Sequence, residues 1–150
     1  MKKFFLLILI LASNLFGQEW NDIVTTSIEE PDRTDIFTNS SGIHILIKNP
    51  SSTNIVYYNL NSAGEIDEDK TETLETSGYF PNIIGSNDKI YAIYKTIDNN
   101  NDDVIRVKYS TDNGSSWLAD IADRPTTANY CNGVDAVYDL GNGVHLVWAT

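Results

Sequence analysis

A strand–turn–strand pattern that recurs three times is the feature that most restricts the fold of this chain. The segments "IFTNSSGI" (36–43), "IIGSNDKI" (83–90) and "VYDLGNGV" (137–144) align without gaps, at offsets of 47 and 54 residues. Each places apolar residues before a polar turn and another apolar residue after it, which is typical of a β-hairpin. A repeat of this length indicates that copies of one small unit stack side by side.

The flanking residues extend each copy towards four strands. The second strands, "IHILIK", "IYAIYK" and "VHLVWA", are apolar on both faces, which indicates that both faces are covered. Third strands follow at 54–59 and 104–110, and polar turns then lead to short fourth strands. We therefore predict an all-β fold, a β-propeller of four-stranded antiparallel blades. A compact β-sandwich of the same strands is the alternative.

The repeat also predicts where the units begin and end. Blades are expected at about 31–71 and 74–121, and a third blade begins near 130 and is cut short at 150. Residues 18–29 are expected to form the outer strand of the closing blade, because "WNDI" there resembles "WLADI" at 117–121. A propeller closes with about four to eight blades. About two and a half blades therefore predict a fragment whose missing C-terminal blades belong to the same polypeptide.

The N-terminus has the pattern of a secretory signal peptide. Lys2 and Lys3 precede a short apolar run, and small or polar residues follow it. Cleavage is expected after Gly17, with Ser13 as the alternative, so that 1–17 is the signal and the protein is secreted or displayed on the cell surface. The apolar run is shorter than the ~20 residues of a membrane-spanning helix, and no membrane span is predicted.

The chain after Gly17 is strongly acidic and holds one cysteine. Its 21 Asp and Glu against 8 Lys and Arg give a net charge of 8 − 21 = −13. This charge repels phosphate backbones, so nucleic acid is not expected as a partner. Cys131 has no second cysteine for an internal disulfide and is expected to be a small buried residue.

The segment "YSTDNGSSW" (109–117) carries the most informative motif. It contains the four residues of the pattern S-x-D-x-G-x-x-W, namely Ser110, Asp112, Gly114 and Trp117. Asn113 and Gly114 favour a tight turn with positive φ, and Asp112 can accept hydrogen bonds from the backbone of that turn. The segment resembles an Asp-box, also called a BNR repeat, of sialidases and related β-propellers. The resemblance implies a structural box between the third and fourth strands, on the rim away from any active site.

The corresponding turn of the first unit, "NLNSAGEI" (59–66), resembles a degenerate copy of the box. Asn59 stands for the serine and Asn61 for the aspartate. Gly64 lies one residue late, and Ile66 replaces the tryptophan.

The resemblance implies that any active site lies at the end of the strands opposite the Asp-box. Sialidases bind a substrate carboxylate with arginines, the first of them in an Arg-Ile-Pro tripeptide, because arginine forms bidentate, charge-assisted hydrogen bonds. Here "YFPNIIG" keeps Pro81 but has Tyr79 in place of the arginine. The segment "KTIDNNNDD" supplies Lys95 and Asp98 but no arginine. These departures favour a non-catalytic module that binds glycans or a cell-surface protein.

The alternative is an exo-acting glycoside hydrolase of the sialidase class whose remaining catalytic residues lie beyond Thr150. Catalytic residues, metal ligands and cofactors are not assigned. The candidate residues of a ligand cavity are Arg33, Tyr79, Phe80, Lys95 and Asp98. Arg33 also has a simpler interpretation, as an exposed residue that pairs with a neighbouring aspartate.

Three further features receive structural interpretations. His44 and His145 occupy the same position in two units, which favours a packing role over metal binding or catalysis. The run 98–103 is rich in oxygen ligands for Ca²⁺, but it lacks the glycine and glutamate of an EF-hand and is expected to be a solvated loop. The acidic run 65–72 is expected to be an outer edge strand, whose charges discourage pairing with another chain.

Overall fold

The computed structural model describes residues 28, 32–61, 63–123, 131–139 and 143–149. Within these ranges the protein is all-β, and the predicted fold class is confirmed at that level. The strands are β1 (Arg33–Asn39), β2 (Gly42–Lys48), β3 (Ile55–Leu60), β4 (Glu72–Glu75), β5 (Gly78–Gly85), β6 (Ile90–Ile97), β7 (Asp103–Ser110), β8 (Leu118–Asp123), β9 (Gly133–Asp139) and β10 (Gly143–Ala149). One short 3₁₀ turn spans Glu68–Lys70.

Each sheet is an antiparallel meander in which neighbours in sequence are neighbours in space. The first sheet has the order β1-β2-β3-β4, the second has the order β5-β6-β7-β8, and β9 and β10 form a hairpin. The three sheets are separate, and their described strands do not close into a ring. The four-stranded antiparallel unit predicted from the repeat is therefore present in two copies.

The sheets stack face to face, which explains why the second strands are apolar on both faces. The core between the first and second sheets consists of Leu46, Ile55, Tyr57, Leu74, Ile83, Ile90, Ala92 and Tyr94. The other face of the second sheet packs against the β9–β10 hairpin through Ile93, Ile105, Val107, Val134, Ala136 and Leu146. The other face of the first sheet is also apolar, and Ile28 packs against it.

The outer strand of the first sheet lies later in the chain than expected. The acidic run 65–72 forms an isolated bridge from Ile66 to Leu60 and then the 3₁₀ turn, and β4 follows at Glu72–Glu75. Leu74, expected to open the second unit, instead closes the first sheet. Its side chain is 4% exposed in the core between the sheets, whereas the acidic run offers too few apolar side chains to bury. The two units therefore meet at 76–77.

The strand pairing corrects the gapless alignment by one residue in the third hairpin. Phe37 pairs with His44, and Ile84 pairs with Tyr91 at the corresponding position 47 residues later. In the third hairpin His145 pairs with Val137, not with Tyr138 as the alignment expects. The difference follows from the length of the turn. An odd number of residues, 140–142, separates the paired Asp139 and Gly143, whereas an even number separates the corresponding pairs of the first two hairpins. A shift by one residue moves every side chain of a strand to the opposite face.

The signal peptide predicted at 1–17 lies outside the described residues. The same holds for the outer strand expected at 18–29, apart from Ile28, and for the start of the third unit at Tyr130. In the described ranges, no helix has the length and the apolar character needed to cross a membrane.

Candidate functional site

The box turn between β7 and β8 is held by its own serine and aspartate side chains. Ser110 Oγ donates to Asp112 Oδ1 (2.7 Å) and accepts from the backbone N–H of Gly114 (2.8 Å). Asp112 also accepts from Ser116, through its N–H at 2.9 Å and its hydroxyl at 2.5 Å. These hydrogen bonds, from Ser116 first and then Ser110, lower the pKa of Asp112. A carboxylate held ionised in this way fastens a turn and is unsuited to donate a proton.

The backbone of the turn depends on two residues with positive φ. Asn113 has φ 57° and Gly114 has φ 85°, the left-handed region that asparagine and glycine adopt most readily. A Cβ atom at Gly114 would also overlap the side chain of Tyr57 in the first sheet. The ring of Trp117 packs edge-on against the same tyrosine, with centroids 4.9 Å apart. The box of the second sheet therefore rests on the first sheet.

The turn of the first sheet has the same hydrogen-bonding scheme in part. Asn61 Oδ1 accepts from the N–H of Glu65 at 3.1 Å, as Asp112 does from the N–H four residues later. Asn59, however, does not take the role of Ser110. Its amide lies in a buried cluster, 3.2 Å from His44 Nδ1. Leu60 occupies the position of Ser110 in the strand pairing and has no hydroxyl.

His44 is fully buried beneath the box turn, and the packing role predicted for it fits its surroundings. Nδ1 lies 2.7 Å from the hydroxyl of Tyr57, and Nε2 lies 3.0 Å from Asn39 Oδ1. Since Asn39 Oδ1 can only accept, Nε2 carries the proton and Nδ1 accepts from Tyr57. Burial, with a smaller contribution from Lys70, lowers the pKa of His44 to about 4. His145 differs, because its side chain is 56% exposed and lies 3.9 Å from Asp139 Oδ2.

The opposite end of the strands, where β1, β5 and β9 begin, contains an open cleft. Its volume is about 420 Å³. The lining residues are Arg33, Thr34, Phe80, Pro81, Asn82, Asn132, Gly133, Val134 and Asp135. The guanidinium carbon of Arg33 lies 4.6 Å from the centre of the Phe80 ring. Two of the five candidate cavity residues, Arg33 and Phe80, are therefore brought together in this cleft.

Phe80 enters the cleft from a strained backbone. Its φ of 54° is unusual for a bulky residue, and the following Pro81 makes a helical conformation less favourable still. The pairing of β5 with β6 is irregular at this point, between Tyr79 and Asn82. A residue held in such a conformation costs roughly 1–3 kcal/mol, and such residues cluster at functional sites. The strain makes Phe80 a candidate functional residue of the cleft.

Tyr79 and Lys95 lie beside the cleft without lining it. Two lysines lie near the Tyr79 ring, with Lys48 Nζ at 5.5 Å and Lys95 Nζ at 5.3 Å from its centre. Both lysines are already paired, Lys48 with Asp32 at 2.5 Å and Lys95 with Asp103 at 2.8 Å. The position that corresponds to the first sialidase arginine is thus a tyrosine close to two ion-paired lysines.

Asp98 does not belong to the cleft. It is a turn residue, and its Oδ1 accepts from the N–H groups of Asn100 (2.8 Å) and Asp102 (3.0 Å). In the described part of the chain, no group of three or more His, Cys, Asp or Glu side chains is arranged to hold a metal ion. Cys131 is 2% exposed, as predicted, and its N–H donates to Asp103 Oδ2 at 2.7 Å.

Sequence reasoning missed the residues that the third unit contributes to the cleft. Asp135 Oδ1 accepts from Asn82 Nδ2 at 3.2 Å, which joins β9 to β5, and Asn132 lies just before β9. A signal exists in the pairing pattern, because Asp35, Asn82 and Asp135 occupy the same position on the first strands of the three units. A short polar side chain at that repeated position indicates a contact between neighbouring sheets.

The cleft offers hydrogen-bonding groups in place of a pair of acids. Its lining includes one guanidinium, two primary amides, one hydroxyl and a single carboxylate, that of Asp135. This carboxylate already accepts from Asn82 and from the N–H of Ala136. Glycoside hydrolysis requires two carboxyl groups, or a comparable acid and nucleophile, on either side of the scissile bond. The described residues that line the cleft provide hydrogen-bonding groups but lack that pair.

Comparison with known proteins identifies no relative. A scan against protein-family models finds no match for this chain, and searches of curated proteins and of solved structures find none either.

Proposed function

We propose that this protein is a non-catalytic glycan-binding module, and that the glycan binds in the cleft at the start of β1, β5 and β9. The observation that carries the proposal is the pair formed by Arg33 and the strained Phe80 in this cleft. The module is secreted or displayed on the cell surface, in keeping with the N-terminal sequence pattern. Its stacked four-stranded meanders are blades of a sialidase-like β-propeller.

The chemistry of the cleft suits a sugar. Sugar hydroxyls both donate and accept, and the amides of Asn82 and Asn132 do the same. Arg33 adds several donors that can bind two neighbouring hydroxyl oxygens, and the Phe80 ring holds its guanidinium in place. Asp135, which also lines the cleft, adds an acceptor. Concave sites with a few fixed polar groups around an aromatic side chain are typical of small-ligand binding.

The sialidase alternative is less well supported by the same residues. A sugar carboxylate needs unpaired cations, but the lysines beside Tyr79 are paired with Asp32 and Asp103. Arg33 is the single arginine that lines the cleft among the described residues. The lone carboxylate of Asp135 lacks a second acid beside it in the cleft lining. These features favour binding over turnover.

The blade interpretation is supported by the way the sheets follow one another. Each sheet is a meander, and its first strand contacts the first strand of the next, so that β1, β5 and β9 converge on one cleft. In a propeller the first strands surround the axis, where ligands bind. The position of the cleft is the one that this architecture would give.

Binding to a panel of neutral and acidic oligosaccharides, followed by calorimetry on the best ligand, tests the proposal. We expect Arg33→Ala and Phe80→Ala each to weaken binding about tenfold or more, since each removes a contact worth roughly 1.4 kcal/mol or more. Lys70→Ala is the matched control, because Lys70 lies on the 3₁₀ turn and forms a surface ion pair with Asp67. Binding that survives both cleft substitutions would refute the proposed site. Turnover of a fluorogenic sialoside by the purified protein would instead establish the glycosidase alternative.

A further inference from the structure

The outward face of the β9–β10 hairpin is exposed although it is apolar. Val137 and Val147, at 61% and 65%, are the two most exposed large apolar residues of the described chain. His145 lies on the same face. The opposite face is covered, because Val134, Ala136 and Leu146 pack against the second sheet. The hairpin thus differs from the first two sheets, both of which have packing on each face.

The exposed face carries the same pattern of residues as a covered face elsewhere in the protein. In that pattern, an aspartate on the first strand pairs with an apolar residue on the second, and an apolar residue on the first strand pairs with a histidine on the second. In the first sheet these residues are Asp35, Phe37, Leu46 and His44. In the hairpin they are Asp135, Val137, Val147 and His145.

The aspartate of the first sheet shows how such a face receives its neighbour. Asp35 Oδ1 accepts from the N–H of the next residue, Ile36, at 3.0 Å. Its Oδ2 accepts from the N–H of Ile83 on β5 at 2.7 Å, which ties the second sheet to the first. Asp135 repeats the first contact, because its Oδ1 accepts from the N–H of Ala136 at 2.9 Å. Its Oδ2 has no hydrogen-bond donor among the described residues.

The apolar and histidine positions of the first sheet are covered by the same neighbour. Leu46 is 0% exposed in the core shared with the second sheet. His44 is also 0% exposed, and its partner Tyr57 lies under the box turn of the second sheet. In the second sheet, Ile93 holds the position of Leu46 and is covered by the hairpin. Each face of this kind is therefore covered by the unit that follows.

We propose that the exposed face of β9–β10 docks one further antiparallel β-sheet of the same repeat. A backbone N–H of that sheet's first strand bonds to Asp135 Oδ2, as Ile83 does to Asp35. Its apolar side chains cover Val137 and Val147, and its box turn lies over His145. The inference continues the stacking seen between the described sheets. It shares Asp135 with the cleft, but Val137, Val147 and His145 lie outside the cleft lining, and docking requires no ligand there.

Thiol protection in an extended chain tests this proposal. The chain is lengthened after residue 150 by a second copy of 101–123, which gives the hairpin a third and fourth strand. A second version also carries a second copy of 76–123 as the further sheet. Val147→Cys is introduced into both, and its rate of labelling by a thiol reagent is measured. The same two versions with Val147 unchanged measure the background labelling of Cys131, which is 2% exposed.

We expect the thiol to react about tenfold or more slowly in the longer version, because it is exposed only when the docked sheet opens. Val137→Asp in that version should restore fast labelling. Equal rates in both versions would overturn the proposal. So would an added sheet that does not fold, because docking is expected to stabilise it. Protection that rises with concentration in the unextended chain would indicate a second copy as the partner and would also overturn it.

Discussion

The neutral, buried His44 predicts that this protein loses stability in a defined pH range. The ordinary pKa of histidine is 6.5, and burial lowers the pKa of His44 to about 4. Between these values the unfolded chain binds a proton that the folded chain does not. The contribution of His44 to stability is therefore complete above pH 6.5 and is lost as the pH falls towards 4. The pKa falls by about 2.5 units, and each unit is worth about 1.36 kcal/mol. The free energy of unfolding can therefore fall by ~3 kcal/mol through His44.

Burial makes protonation of His44 costly, and the hydrogen bonds around the ring hold its neutral form in place. Nε2 already donates to Asn39 Oδ1 at 3.0 Å. Nδ1 receives the Tyr57 hydroxyl at 2.7 Å and lies 3.2 Å from the amide nitrogen of Asn59. A proton on Nδ1 would displace the bond that Tyr57 donates and would place a charge on a ring that is 0% exposed. Burial of a charge away from water is strongly unfavourable.

Urea unfolding at pH 7 and pH 4.5 measures this effect. The wild-type free energy of unfolding should fall by about 2–3 kcal/mol more than that of His44→Gln, because the carboxylates titrate alike in both proteins. His44→Gln should itself be less stable than wild type at pH 7. His145→Gln is the matched control, since that side chain is 56% exposed, and it should leave the pH dependence unchanged. Equal losses in wild type and His44→Gln would falsify the assignment of a neutral, buried histidine.

Three other substitutions test the turn, the strain and the core. Gly114→Ala should cost more than about 2 kcal/mol in chemical unfolding, because alanine is disfavoured at φ 85° and its Cβ would overlap Tyr57; an unchanged midpoint would contradict this. Phe80→Gly should be about 1 kcal/mol more stable than Phe80→Ala, since glycine adopts φ 54° without strain; the opposite order would show that Phe80 is not strained. Leu74→Ala should cost about 2–5 kcal/mol by leaving a cavity between the sheets; a loss below about 1 kcal/mol would contradict the place of Leu74 in that core.

The sequence predicts well those features that depend on residues close together in the chain. The box turn lies within 110–117, and its spacing is sufficient to assign Asp112 to the turn. Strand positions follow from local alternation, and β2, β6 and β10 begin within a residue of where the repeat places them. The burial of His44 follows from its place in a strand that is apolar on both faces. In each case the physical cause lies within a few residues.

The cleft was harder to predict because distant residues form it. Arg33 and Asp135 are about a hundred residues apart, and they meet because three first strands converge. Nothing in the composition of 131–135 distinguishes Asn132 and Asp135 from other polar residues of a loop. The strain at Phe80 depends on an irregular pairing of β5 with β6, and the Phe-Pro dipeptide alone does not reveal it. Asp98 was wrongly assigned to the cleft, because an acidic segment can form either a ligand site or a turn. Its side chain bonds to the backbone of its own turn instead.

The contacts between the sheets explain how a cleft built from separate strands can be ready for a ligand. At the cleft end, Asp35 is bonded to the backbone of β5, and Asn82 of β5 is bonded to Asp135 of β9. At the turn end, Ser41 donates to Asn113 Oδ1 at 2.8 Å, so the first pair of sheets is held at both ends. Walls fixed in this way lose little conformational entropy when a ligand binds, which favours affinity from a few polar contacts. Asp35→Ala removes the bond to the N–H of Ile83 and should therefore weaken glycan binding, although Asp35 does not line the cleft. Unchanged affinity in this variant would show that the ligand site depends on Arg33 and Phe80 alone.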